Sequence, residues 1–100
     1  MEIRNLITFV RIAEVQSFSK TAEQLGYSQS AVTMQIKQLE SELHRQLFER
    51  IGKQVKLTQA GERLLPYALD ILNSVRKAEN IICLLYTSTF YYFLDVVSLF

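Results

Sequence analysis

The stretch from Ser19 to Ile36 holds two short helical patterns with almost nothing between them. Ser19 is placed to cap a first helix, Gly26 to end it and Ser28 to cap a second. Gly26 and Tyr27 alone separate the two patterns, which leaves room for a tight corner and no other connection. Glycine takes the positive φ of such a corner at little steric cost. Ala22 stands one turn earlier, where a small side chain lets the second helix cross closely. Val32 and Ile36 then begin an inward stripe. This is the pattern of a helix-turn-helix, and it points to DNA.

Two such helices need a support. Residues 3–16 supply it: Leu6, Phe9, Val10 and Ala13 recur at three- and four-residue steps, with Arg4, Arg11 and Glu14 off that face. Gln16-Ser17-Phe18 breaks the pattern, and Phe18 reads as a core plug at the entry to the next helix. The third helix is expected from about Ser28 to Leu43, with Val32, Ile36, Leu39 and Leu43 facing inward. Ser30, Thr33 and Lys37 lie on its other side, flanked by Gln29 and Met34. That face is short and polar at its start, then charged through Lys37, Glu40 and Ser41. It suits a helix whose first turns enter a major groove. Glutamine can bond an adenine edge with both ends of its amide, and serine or threonine can reach bases or phosphates. Taken alone, the same face fits an ordinary amphipathic helix with a wet side; the neighbouring capped helix and corner favour the groove.

After Leu47-Phe48-Glu49-Arg50 come two short extended segments. Ile51-Gly52-Lys53 is the turn, with Gly52 at positive φ. Val55 and Leu57 alternate with Gln54 and Lys56, the period of a half-buried strand. A basic hairpin after a helix-turn-helix is a wing. Lys53 at its tip is within reach of a minor groove or phosphate, and Arg50 at its base of a phosphate. Leu47 and Phe48 read as core. The net charge of +1 gives no bulk basicity. Charge is concentrated locally instead, with Arg50, Lys53, Lys56 and Arg63 against the single acid Glu62.

Thr58 is expected to cap a long helix. Leu64, Ala68, Ile71, Val75, Ala78 and Ile82 follow steps of four, three, four, three and four, a heptad seam for dimerisation. Leu65, Leu69 and Leu72 form a second stripe for the chain's own core. Two apolar faces imply two partners, the chain's own body and another protomer; the alternative is one monomer core that covers both. Pro66 removes a backbone donor inside this helix and suggests a kink near Glu62. The expected division is therefore 1–58 for the winged body, 59–80 for a linker helix and 81–100 for an apolar tail. In the tail Asp95 is the only charge. Its apolarity fits a membrane span, its aromatic and β-branched content fits a strand, and its abrupt onset fits a frameshift or junction.

Cys83 and His44 are single, so no disulfide forms within the chain and no zinc spacing is present. Cys83 is expected to be a buried or lipophilic thiol and His44 a helix-end residue. No metal, cofactor or catalytic residue is expected, because no nucleophile–base pair or phosphate loop stands at usable spacing. The first five residues carry no signal-peptide run, which favours the cytoplasm.

Phe9-Val10, Ala13, Ser17-Phe18, Ala22, Leu25, Ser28-Gln29, Ala31-Val32, Ile36, Leu39-Glu40, Leu43, Leu47-Phe48, Arg50, Leu57-Thr58 and Gly61 together resemble the DNA-binding domain of LysR-type transcriptional regulators over roughly residues 3–80. The resemblance implies a mainly α fold: a winged helix-turn-helix, with a three-helix core and a β-hairpin wing, then a long dimerisation helix. It implies DNA contacts from Ser28, Gln29, Ser30, Thr33, Met34 and Lys37, with Arg50 and Lys53 as backbone or minor-groove contacts of the wing. Four positions depart from the pattern. Ser30 replaces a common proline, Thr33 a frequent serine, Thr21 the first of two alanines, and His44 a frequent glycine. The resemblance also implies a large α/β effector domain after the helix, absent from these 100 residues, so no small-molecule effector is expected on them.

The expectation is thus a sequence-specific reader of double-stranded DNA that acts as a homodimer, with assembly to a tetramer left open. Two rivals are a dimerising interaction module that does not read DNA and a membrane-tethered regulator anchored by residues 81–100.

Overall fold

Six elements follow in chain order in a computed structural model, which describes the backbone of residues 1–99 and the side chains of residues 1–83. They are α1 (Ile3–Val15), α2 (Phe18–Leu25), α3 (Gln29–Leu43), β1 (Phe48–Ile51), β2 (Gln54–Leu57) and α4 (Gln59–Leu99). The mainly α winged helix-turn-helix expected from the sequence is what forms.

Helix α1 buries Leu6, Phe9, Val10 and Ile12. Ile12 belongs to that face more fully than Ala13, which is only half-buried. Two polar residues lie in the same layer. Asn5 donates from Nδ2 to Gln38 Oε1 at 3.3 Å, and Thr8 donates to Gln35 Oε1. Buried polar groups are stable when so paired, and these two bonds fix how α1 lies along α3. Gln16 ends α1 in the left-handed region at φ 57°.

Ser17, not Ser19, caps α2: its Oγ accepts from the Lys20 N–H at 3.1 Å. The expected cap is corrected by two residues, and the reason is packing. Starting the helix at Phe18 places Phe18 on one stripe with Thr21, Ala22 and Leu25. Gly26 closes α2 at φ 75°, as the corner requires. Ser28 caps α3 by accepting from the Ala31 N–H at 3.2 Å. Val32, Ile36 and Leu39 are buried and Leu43 half-buried, so the inward stripe is as expected. His44 ends the helix at φ 55°. Glu40, expected on the outer charged face, instead turns back and accepts from the Leu47 N–H at 2.7 Å. It ties the start of the wing to α3.

The wing is an antiparallel pair in which Phe48 faces Leu57 and Arg50 faces Val55, with Gly52 at φ 64° in the turn. Thr58 then joins wing to helix. Its hydroxyl donates to the Gln46 carbonyl at 2.6 Å and accepts from the Gly61 N–H at 3.1 Å, and its own N–H donates to the Leu47 carbonyl at 2.9 Å. Helix α4 runs as one element through Pro66. Its first turns belong to the body, because Ala68 is fully buried and Leu64, Leu65 and Leu72 pack on the core. The expected boundary at residue 58 is therefore no break in packing.

Helix α4 also continues past residue 80 to Leu99, which replaces the strand expected as one reading of the tail. Among the described residues no helix is long and apolar enough to cross a membrane. The aromatic cluster from Tyr86 to Phe93 lies outside the described side chains. Cys83 is exposed, which corrects the buried reading of its thiol, because α4 has already left the body at that point.

Candidate nucleic-acid interface

Helix geometry sorts the outer face of α3. At about 100° per residue, Gln29, Thr33, Lys37, Ser30 and Met34 spread over an arc of roughly 140°, which starts at Gln29 beside the buried Val32, Ile36, Leu39 and Leu43 stripe and turns away from it toward Met34. Met34 is 71% exposed. Gln29, Ser30 and Lys37 are exposed and Thr33 is half-buried.

The hydroxyls of this face are already engaged within the helix. Ser28 Oγ serves as the cap and lies 3.2 Å from Ser30 Oγ. Thr33 donates from Oγ1 to the Gln29 carbonyl at 3.0 Å. A hydroxyl has one proton to give, so Thr33 keeps acceptor capacity and no hydroxyl donor for a ligand. That sharpens the sequence reading, in which Thr33 was a general hydrogen-bonding group. Gln29 keeps both ends of its amide for a ligand on the helix's first turn.

The basic stretch divides into three. Arg50 and Lys53 line a shallow cleft of about 300 Å³ together with Gln29, Ser17 and Ser19. Lys56 stands on the outer face of the hairpin opposite Glu49. Arg63 lies elsewhere, beside Arg45 and Thr58. The wing cations that share a wall with α3 are therefore Arg50 and Lys53, and the patch expected from Arg50 to Arg63 is not one surface. Sequence reasoning missed Ser17 and Ser19 as members of this cleft. The available signal was the three-residue spacing from Ser17 to Lys20, which fits a cap.

Residues 3–62 match the family model for the bacterial regulatory helix-turn-helix protein, lysR family. The chain belongs to the LysR family. Among its LysR-family relatives is the HTH-type transcriptional regulator CitR of Bacillus subtilis, 51% identical over 73 residues, which cover 73% of this chain and 25% of CitR. Another is the uncharacterized HTH-type transcriptional regulator YwqM of the same organism, 47% identical over 79% of this chain and 27% of its own length. The chain thus spans about a quarter of the length of these relatives. Among solved structures, the BenM DNA-binding domain in complex with catB site 1 DNA superposes with a TM-score of 0.81 at 38% identity, over 85% of this chain and 94% of that one. Full-length CbnR complexed with its target DNA superposes at 0.76 and 34% identity, over 80% of this chain and 28% of CbnR.

The seam residues on α4 part company in this LysR-family fold. Ala68 is fully buried, which corrects it from a partner contact to a body contact, while Leu64 is half-buried against the chain's own core. At Ala68 the helix passes directly over the body, and nothing of that side chain remains exposed to meet a partner. Ile71 (36%) and Ile82 (64%) are open. Ala78 is exposed and Val75 half-buried. Val75 also lines a groove of about 630 Å³ between α1 and α4, whose walls mix Ile3, Ile7 and Leu69 with Arg11, Glu14, Asp70 and Arg76. Among the described residues no cluster of three metal-ligating side chains occurs.

Proposed function

We propose that this chain is the DNA-reading domain of a bacterial transcriptional regulator and works in the cytoplasm as a homodimer. The observation that carries the reading is the cleft. It brings Gln29, on the first turn of an exposed helix, against Arg50 and Lys53 of the wing. Such an arrangement lets one element read bases while the other holds the backbone. That the similar BenM domain was crystallised on duplex DNA supports it.

In this reading α3 enters the major groove. Gln29 bonds a base edge, Thr33 serves beside it as an acceptor, Met34 meets apolar base surface, and Ser28, Ser30 and Lys37 set the backbone register. Arg50 and Lys53 hold phosphate or the minor-groove edge. Ile71, Val75, Ala78 and Ile82 form the surface for the second protomer, continued by the groove between α1 and α4. Two body domains would then meet successive major grooves.

Selection of binding sites from a random duplex pool by the purified chain, read by sequencing, tests the proposal. A palindromic consensus with a regular half-site spacing is expected, and no enrichment overturns it. On the selected site Gln29→Ala is expected to cost about 1–3 kcal/mol at one base pair. An equal loss on every sequence would remove Gln29 from base reading.

A further inference from the structure

Arg50 holds an odd place on the wing. Strand alternation puts Phe48 and Arg50 on one face of β1, and the register sets Leu57 and Val55 across from them. Phe48 and Leu57 pack on the core and Val55 is buried. The cation thus stands on the face of the hairpin that is otherwise apolar. What lies against it is an aromatic ring: the Arg50 guanidinium carbon sits 5.3 Å from the centroid of Phe18. Phe18 meets Phe48 edge-on at 5.9 Å and 77°, and Phe48 meets the fully buried Phe9 at 5.3 Å. Three rings therefore run from the core of α1 to the guanidinium. The cleft beyond it holds Lys53, Gln29, Ser17 and Ser19 and no carboxylate.

We propose that Phe18 is a positioning residue for DNA binding, whose ring holds the Arg50 guanidinium at the mouth of this cleft to take a backbone phosphate. The inference rests on the DNA-binding reading above. An arginine on a two-stranded hairpin has many rotamers; attraction to a ring face selects those that stack. Stacking occupies the flat face of the guanidinium and leaves its N–H edge free. That edge matches two phosphate oxygens at once. The ring is itself anchored, so the arginine is held relative to α2 and α3 rather than to the hairpin alone.

The test is the salt dependence of duplex binding by the full chain, followed by fluorescence anisotropy from 50 to 200 mM salt. Variants are Arg50→Gln, Phe18→Leu, Phe18→Tyr and the double variant Phe18→Leu/Arg50→Gln. Each lost phosphate contact flattens the plot of log affinity against log salt by about 0.9. Phe18→Leu is expected to flatten it by that amount per protomer, as Arg50→Gln does, so affinity falls about 3.5-fold less across the range for each protomer bound, or about 12-fold less for a dimer. The double variant should match the single ones, and Phe18→Tyr should keep the wild-type slope. If Phe18→Leu does not fold, Phe18→Met against Phe18→Tyr makes the same comparison between an unbranched chain and a ring. A wild-type slope in a folded ringless variant, with Arg50→Gln still flattened, overturns the role of Phe18. A wild-type chain that binds no duplex at any salt overturns the underlying DNA reading as well.

Discussion

Helices α3 and α4 both carry an apolar stripe at steps of three and four, yet their stripes end in different surroundings. On α3, Val32 and Leu39 are fully buried and Ile36 nearly so, all covered by the chain itself. On α4 the stripe begins in the same way, with Ala68 at 0%, and then opens to 36% at Ile71 and 64% at Ile82. The same periodicity therefore serves two purposes. In α3 it closes a core that leaves the opposite face free for a ligand. In α4 it meets the core for about one turn, from Leu64 to Ala68, and is then largely turned outward. A helical period states that a face wants cover, and only the fold decides who provides it.

The first way to break the comparison is to open the shared core. Phe9→Ala is expected to cost about 3–5 kcal/mol, because Phe9 is fully buried and also backs the ring of Phe48. That is a large part of the stability of a small domain. A thermal melt should show the loss; a melt unchanged within a few degrees would show that α3 needs less cover than its burial implies.

A smaller effect is expected at the joint between the two regions. Gly61 is buried in the first turn of α4, where an added Cβ would press on the Leu47 carbonyl oxygen and lie 2.8 Å from Leu57 Cδ2. Gly61→Ala should cost about 1–3 kcal/mol by overpacking, although alanine favours a helix. Denaturant unfolding measures it, and a stabilised variant would mean that α4 can lift from the wing freely.

Ile82→Glu separates the regions cleanly, because the residue is on α4 and outside the body. It is expected to weaken self-association about ten-fold or more, the loss of roughly 1.5 kcal/mol of apolar burial at a protomer contact. Sedimentation across a concentration series reads it, while the melt of the dilute chain should not move. An unchanged association would take Ile82 out of the dimer surface.

The smallest effect is expected to be a gain. Thr21 is fully buried and its hydroxyl has no hydrogen-bond partner. Thr21→Val keeps the shape and removes the unsatisfied group, so the urea midpoint should rise by the equivalent of about 1 kcal/mol. A fall would mean that the hydroxyl is satisfied in solution.

Much of this was legible in the sequence because it is local. The corner at Gly26, the cap at Ser28, the wing turn at Gly52 and the stripe through Leu39 depend on residues within a few positions of one another. What was not legible depends on distant partners. Asn5 and Thr8 look like surface residues until Gln38 and Gln35 of α3 are brought beside them. Glu40 counts as outer charge until the Leu47 N–H turns toward it. Ser19 reads as the cap of α2 until the packing of Phe18 moves the cap to Ser17. For the interface, the residues of α3 follow from its period, but the division of the basic stretch among three surfaces required the register of the hairpin. The approach of the Arg50 guanidinium to the Phe18 ring, thirty-two positions apart in the chain, had no local signal at all.

Thr58 bonds to Gln46, Leu47 and Gly61 at once, and so the start of α4 has little freedom to swing relative to the wing. From Gln59 to Cys83 the helix rises about 37 Å. Such a rod works as a lever whose fulcrum lies beside the β-hairpin wing. A tilt of about 5° at that fulcrum carries the far end roughly 3 Å sideways over this length. The converse also holds: a few ångströms of displacement imposed far along α4 would be returned to the recognition helix as a small rotation.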